Sequence, residues 1–121
     1  LNYRLDLPRA EAERGALAGD FSALLDYDQL KRRKARGSAF ADFFEGAINF
    51  APTFKFDPDT DDYDTSPKQR TPAWCDRVLF NGAESGEPGA VSPRTYASVS
   101  EARHSDHRAV YAIFDLTIAK A

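Results

Sequence analysis

The spacing of apolar residues changes character near the middle of the chain, from a helical period to an extended one. Arg9 to Leu17 is rich in Ala, Glu and Arg and is helix-compatible, with Gly19 as the stop. Asp20 is placed to cap a second helix in which Phe21, Leu24, Leu25 and Leu30 fall near one face, with Tyr27 beside them. That helix is expected to continue through Lys31-Arg32-Arg33-Lys34-Ala35-Arg36 and to end at Gly37. Ser38 is then expected to cap a short helical turn whose Phe40, Phe43 and Phe44 read as core anchors. Ahead of all this, Asn2-Tyr3-Arg4 reads as the end of a strand, and Pro8 opens the connection that follows.

From Ile48 the pattern is extended and aromatic, with Phe50, Pro52, Phe54 and Phe56 at alternate positions. Asp57 to Ser66 is a polar, acidic loop. Pro72 biases Thr71 toward extended backbone and leads into Trp74 to Phe80, which reads as a buried central strand. Asn81 to Pro93, with Gly82, Gly86 and Gly89, predicts a mobile loop, and Thr95 to Val99 alternates weakly as a strand. Ala109 to Ile118 is the strongest strand. Val110, Ala112, Phe114 and Leu116 lie on one face and Tyr111 and Ile113 on the other, so burial of both faces is expected. No repeat and no dividing linker interrupts the chain. The pattern predicts one α/β unit with a mainly antiparallel sheet.

Composition narrows the function classes. The 121 residues are 42% hydrophobic and 29% charged, with nine Phe and five Tyr, which suits one unit with a modest core. A net charge of −3 disfavours a nonspecific nucleic-acid binder, so no nucleic-acid partner is expected. The single cysteine, Cys75, cannot form an internal disulfide and fits a reducing, cytoplasmic setting. No apolar run is long enough to span a bilayer.

Charged residues inside the predicted central strand carry the chemistry. Asp76 and Arg77 stand between Trp74 and Val78, and charges rarely go inside without partners. One candidate partner for Asp76 arrives late, in Ser105-Asp106-His107-Arg108. A carboxylate can orient an imidazole and favour its charged form, which can then bind a phosphate oxygen. A structural salt bridge, with Asp76 paired to Arg77 or Arg70, is the competing account. Ser105-Asp106-His107 is not a serine triad, because adjacent residues do not align hydroxyl, imidazole and carboxylate. Lys55, Lys68 and Arg70 bracket the acidic loop, as local charge balance or as anion-binding cations. Asp57-x-Asp59-x-Asp61 suggests a calcium loop, but the sixth position is Asp62 and the twelfth is Lys68, both wrong for an EF-hand. The run from Lys31 to Arg36 suits a solvated helix end or a contact with anionic lipid.

Three motifs then agree in order and spacing. Arg70-x-Pro72-Ala73-Trp74-Cys75-Asp76-Arg77-Val78-Leu79 resembles the second signature of the inositol polyphosphate 5-phosphatases. Leu1-Asn2-Tyr3-Arg4 resembles the tail of their first signature, G-D-x-N-[FY]-R. Ser105-Asp106-His107-Arg108 resembles the closing S-D-H-[RK]-P-V, with Ala109 in place of proline. A fourth stretch, P-T-F-K-F-D through Y-D-T-S-x-K-x-R, is similar to the family's substrate-gripping segment. The synaptojanin-like branch is nearest.

The resemblance implies the four-layer α/β sandwich with mainly antiparallel sheets of the endonuclease/exonuclease/phosphatase superfamily. Residues 1–121 would be the C-terminal portion of one catalytic domain. The missing N-terminal part of that domain would hold the water-activating aspartate and the main magnesium ligand. By resemblance, His107 contacts the scissile phosphate and Asp76 orients it. Asp106 lies near the metal and attacking water, and Asn2 helps to position phosphate and metal. Lys55 and Lys68 grip a 4-phosphate, with Arg70 and Arg77 as further substrate-binding cations. Phe54 replaces the family's usual tyrosine and lacks its hydroxyl. The implied activity is magnesium-dependent hydrolysis of the 5-phosphate of a phosphoinositide lipid or soluble inositol polyphosphate, by a cytoplasmic enzyme peripheral to membranes, with the fragment inactive alone. A nuclease of the same superfamily and a non-catalytic binding fragment are the alternatives.

Overall fold

The computed structural model describes residues 2–119. Helix α1, Arg9–Ala18, ends as the composition requires. Gly19 takes the left-handed conformation (φ 78°) that glycine adopts without a side-chain clash. Its Ala12 and Ala16 are buried against the core.

The single second helix expected from the pattern is two. Helix α2, Phe21–Leu25, is followed by a break, and α3, Gln29–Ala35, starts afresh. The cause is Asp28. Its backbone is extended (φ −74°, ψ 123°), and its carboxylate accepts the Lys31 N–H at 3.0 Å as an N-cap. Asp20 makes no side-chain cap, although its carbonyl accepts the Leu24 N–H. The 27–29 turn also captures the N-terminal segment. Gln29 N–H donates to the Arg4 carbonyl and Asp6 N–H to that of Tyr27, so residues 2–4 form no strand. Phe40 to Phe43 is one hydrogen-bonded turn. Phe40, Phe43 and Phe44 are exposed rather than core.

Two two-stranded antiparallel sheets follow. Strand β1, Phe44–Glu45, pairs with β2, Leu79–Phe80, in the register Phe44 to Phe80. The expected strand from Trp74 to Phe80 is thus paired only at its end, because the chain bends at Asp76 and its charged residues seek side-chain partners. Strand β3, Val91–Val99, pairs with β4, Ala109–Leu116, from Val91 opposite Leu116 to Val99 opposite Ala109. β3 starts earlier than its weak alternation suggested. Pro93, which has no N–H for a ladder, sits at a register shift between Pro93 and Thr95. The inner face of β4 carries half-buried Val110 and Phe114. Tyr111 and Ile113 on its other face are exposed, so the expected burial of both faces is not met among the described residues.

Trp74 anchors the core. It is fully buried, its Nε1 donates to the Phe50 carbonyl at 2.9 Å, and Phe21 meets its ring edge-on. Removing such a ring costs about 3–5 kcal/mol. Phe50, Phe54, Phe56 and Tyr63 complete the aromatic part of that core.

Candidate active site

The extended segment 53–56 lies between two others and brings the candidate residues together. On one edge Phe54 exchanges backbone hydrogen bonds with Ala73. On the other, Arg108 N–H donates to the Thr53 carbonyl and Phe56 N–H to that of Asp106, both at 2.8 Å. Asp76 therefore lies three residues beyond one rung and His107 within the opposite one. Residues 100–108 also connect β3 to β4, so His107 is carried by the connection of that hairpin.

His107 Nδ1 meets Asp76 Oδ2 at 2.5 Å. The two side chains are 39% and 44% exposed, and they border an open cavity of about 400 Å³ with Val78, Ser105 and Ala109. The contact fixes which ring nitrogen faces the carboxylate and leaves Nε2 for another group. Asp106 Oδ1 is 4.0 Å from that Nε2. Ser105 Oγ accepts the His107 backbone N–H at 3.1 Å, a turn contact with no triad geometry. The Phe54 ring packs against the imidazole at 4.7 Å between centroids, and the Arg4 guanidinium covers Phe54 at 4.4 Å. Arg4, the last residue of the first motif, thus lies beside the pair. Its place beside the pair depends on the ring of Phe54, a contact that spacing alone does not reveal.

The other candidates are distributed unevenly. Lys68 and Arg70 join Arg4, Leu5, Gln69 and Thr71 around a cleft of about 300 Å³. Lys55 is outside its lining, but its charge acts on Asp64. Asp64 ties the Lys68–Arg70 turn down. It is inaccessible and accepts the N–H groups of Ser66 (2.9 Å) and Arg70 (2.8 Å). Hydrogen bonding by Ser66 first, then by the Arg70 N–H, holds its carboxyl down at about 2, against the opposing effect of burial. Asn2 is exposed, two residues before Arg4.

Arg77 corrects the sequence reading. Expected among the substrate-binding cations, it has a fully buried side chain held bidentately by Asp28 (2.9 and 2.9 Å) and by Glu45 (2.6 and 2.8 Å). These bonds raise its pKa against the larger opposing effect of burial, and leave its guanidinium no route to a ligand. Cys75 is buried. Burial pushes its thiol up, and its Sγ accepts from Arg4 Nη1 at 3.4 Å, so packing is its part.

The acidic loop is held by protein donors. Asp57 takes the Thr65 N–H and hydroxyl, Asp59 pairs with His104, and Asp61 with Arg103. Among the described residues no group of three or more His, Cys, Asp or Glu could hold a metal ion. The donors present therefore do not fit a magnesium site by themselves. In the basic run, Arg32 hydrogen-bonds Asp6 and the Asp26 carbonyl, while Arg33 lies over the Tyr3 ring, as suits a solvated helix end.

The family model described as endonuclease/exonuclease/phosphatase family 2 matches residues 1–113. The chain belongs to this family. It is 42% identical over 98% of its length to synaptojanin of Caenorhabditis elegans. It is 42% identical over the same share to inositol-1,4,5-trisphosphate 5-phosphatase 1 of Schizosaccharomyces pombe. The chain spans only 10% of each of those relatives. Among solved structures it is similar to the inositol polyphosphate 5-phosphatase domain of SPsynaptojanin in complex with inositol (1,4)-bisphosphate and calcium. That match has a TM-score of 0.87 and 41% identity, over 96% of this chain and 32% of that one. A Cimex nitrophorin in its ferrous NO complex also aligns, with a TM-score of 0.83 and 32% identity over 96% of this chain and 39% of that one. The recognised resemblance to the synaptojanin-like 5-phosphatases therefore holds across nearly the whole chain.

Proposed function

We propose that the protein carrying this chain hydrolyses the 5-phosphate of phosphoinositides such as phosphatidylinositol 4,5-bisphosphate, or of inositol polyphosphates. The observation that carries the reading is the 2.5 Å contact between His107 and Asp76, close to a cleft lined by Arg4, Lys68 and Arg70. Asp76 holds the ring so that His107 Nε2 faces a non-bridging oxygen of the scissile phosphate. A donor aimed at that oxygen stabilises the charge that builds up during transfer. Water attacks phosphorus in line. Its oxygen forms the new P–O bond as the bond to the inositol oxygen breaks, and that oxygen leaves with a proton. No covalent phosphoenzyme forms. Lys68, Arg4 and Arg70 of the cleft, with Lys55, bind the remaining phosphates, as compact charges for Lys and planar forks for Arg. Asp106 would act near the attacking water, and Asn2 would help to position the phosphate.

Magnesium is part of this proposal as the cofactor of the full-length enzyme. Because the described donors do not make a metal site, no step is assigned to it in this chain. In the same reading, residues 1–121 are the C-terminal portion of a single four-layer catalytic domain. The protein works in the cytoplasm, at the membrane surface that presents its lipid. None of the described helices is long and apolar enough to cross a bilayer.

The test compares phosphate release from inositol 1,4,5-trisphosphate with nicking of supercoiled plasmid by the full-length protein. Release that requires magnesium and stops on chelation is expected, without nicking. Nicking without phosphate release would favour the nuclease reading, and neither activity would favour a binding protein.

A further inference from the structure

Asp76 sits at a bend that no sheet ladder holds. The last backbone rung before it is Ala73 opposite Phe54, and β2 begins only at Leu79. Buried side chains fix the residues between. Arg77 Nη1 donates to the Trp74 carbonyl at 3.2 Å, closing the bend, while Asp28 and Glu45 hold the same guanidinium. Glu45 Oε2 also accepts the Tyr96 hydroxyl proton at 2.6 Å. The Tyr96 oxygen in turn accepts the Val78 N–H at 3.0 Å. The Tyr96 hydroxyl therefore accepts from the segment that bears Asp76 and donates to the carboxylate that holds Arg77 of that segment.

Tyr96 itself lies on β3, opposite Ala112 of β4. That hairpin carries His107 in its connection. The hydroxyl thus links the aspartate-bearing bend to the histidine-bearing hairpin. Asp76 and His107 are both partly exposed, with the Phe54 ring packed on the imidazole. Their separation is set by how these two backbones are held. Burial, with the bond to Glu45 second, pushes the Tyr96 phenol well above its ordinary range, so the hydroxyl keeps its proton at any working pH.

We propose that Tyr96, acting through Glu45, Arg77 and Val78, is a positioning residue that sets the Asp76 carboxylate against His107. The inference rests on the reading of Asp76 and His107 as the reacting pair. A small displacement of one partner is enough to matter, because misplacements of about 1 Å at a reacting centre can cost up to a hundredfold in rate.

The test is a double-mutant cycle on turnover in the full-length protein, with inositol 1,4,5-trisphosphate as substrate. Tyr96→Phe removes only the hydroxyl. Its kcat is expected to fall about tenfold while KM stays within about twofold, because alignment rather than substrate binding is lost. In an Asp76→Asn background the same change should have no further effect, since there is no longer a carboxylate to aim. An unchanged kcat in Tyr96→Phe, or an equal fall in both backgrounds, would overturn the inference and leave Tyr96 a purely structural residue. If Tyr96→Phe does not fold, Glu45→Gln carries the same two expectations. If Asp76→Asn itself keeps normal turnover, the reading of the reacting pair fails instead, so the two failures are separable.

Discussion

The His107–Asp76 contact is half in solvent, and such pairs contribute only about 0–1 kcal/mol to stability. Its value is therefore orientation, and substitutions there should cost turnover far more than folding. Asp64 is the opposite case. Its carboxyl is held at about 2 in the folded protein, against an ordinary value of 3.8. A depressed pKa gives stability that is present above the unfolded value and disappears as pH falls through the folded one. The stability of the full-length protein should thus decline from about pH 4 toward about pH 2. Asp64→Asn should be less stable at neutral pH and show a shallower decline, measured as unfolding midpoint against pH. Lys55 tests the substrate side. Lys55→Ala should raise KM about tenfold or more for substrates with a 4-phosphate, the size expected of a lost charged hydrogen bond, with a smaller effect on those without one. At this scale the motifs revealed the pair but misplaced Arg77. Its partners Glu45 and Asp28 lie 32 and 49 residues earlier, and no local pattern links them.

Asp28 decides the elements. A hydrophobic stripe running from Phe21 to Leu30 is compatible with one helix, but a carboxylate that caps α3 and also holds buried Arg77 cannot sit within a continuous helix. α1 and β4 were legible because their stop residue and their alternation are local. The Trp74–Phe80 strand was not, because Arg77 is held by the side chains of Asp28 and Glu45 and the Val78 N–H by Tyr96 rather than by a ladder. Arg77→Ala would leave Asp28 and Glu45 buried without their cation. It should destabilise the domain by about 3–5 kcal/mol. Arg77→Lys should not fully rescue it, because one ammonium cannot replace two forks. Denaturant midpoints of the full-length protein check both, and an unchanged midpoint in Arg77→Ala would remove this network from the account.

Across the whole molecule, the exposed face of β4 bears on how the chain works. Tyr111 and Ile113 are 42% and 50% exposed. An apolar sheet face of this kind promotes association when left bare. Residues 1–121 expressed alone should self-associate in size-exclusion chromatography and show no turnover with magnesium. Hydrolysis by the isolated chain would refute the proposal that essential groups lie elsewhere in the domain. The family was legible because its motifs are short and linear. The packing of the hairpin that carries His107 against the Asp76 bend was not, because it joins residues that spacing does not relate.

The central claim is that Asp76 and His107 act as one device on a phosphate. Steady-state phosphate release by the full-length protein carrying His107→Ala or Asp76→Asn, alongside circular dichroism, tests it most directly. Each variant is expected to lose about a hundredfold or more in kcat while keeping the wild-type spectrum. Near-normal turnover in either folded variant would contradict the account.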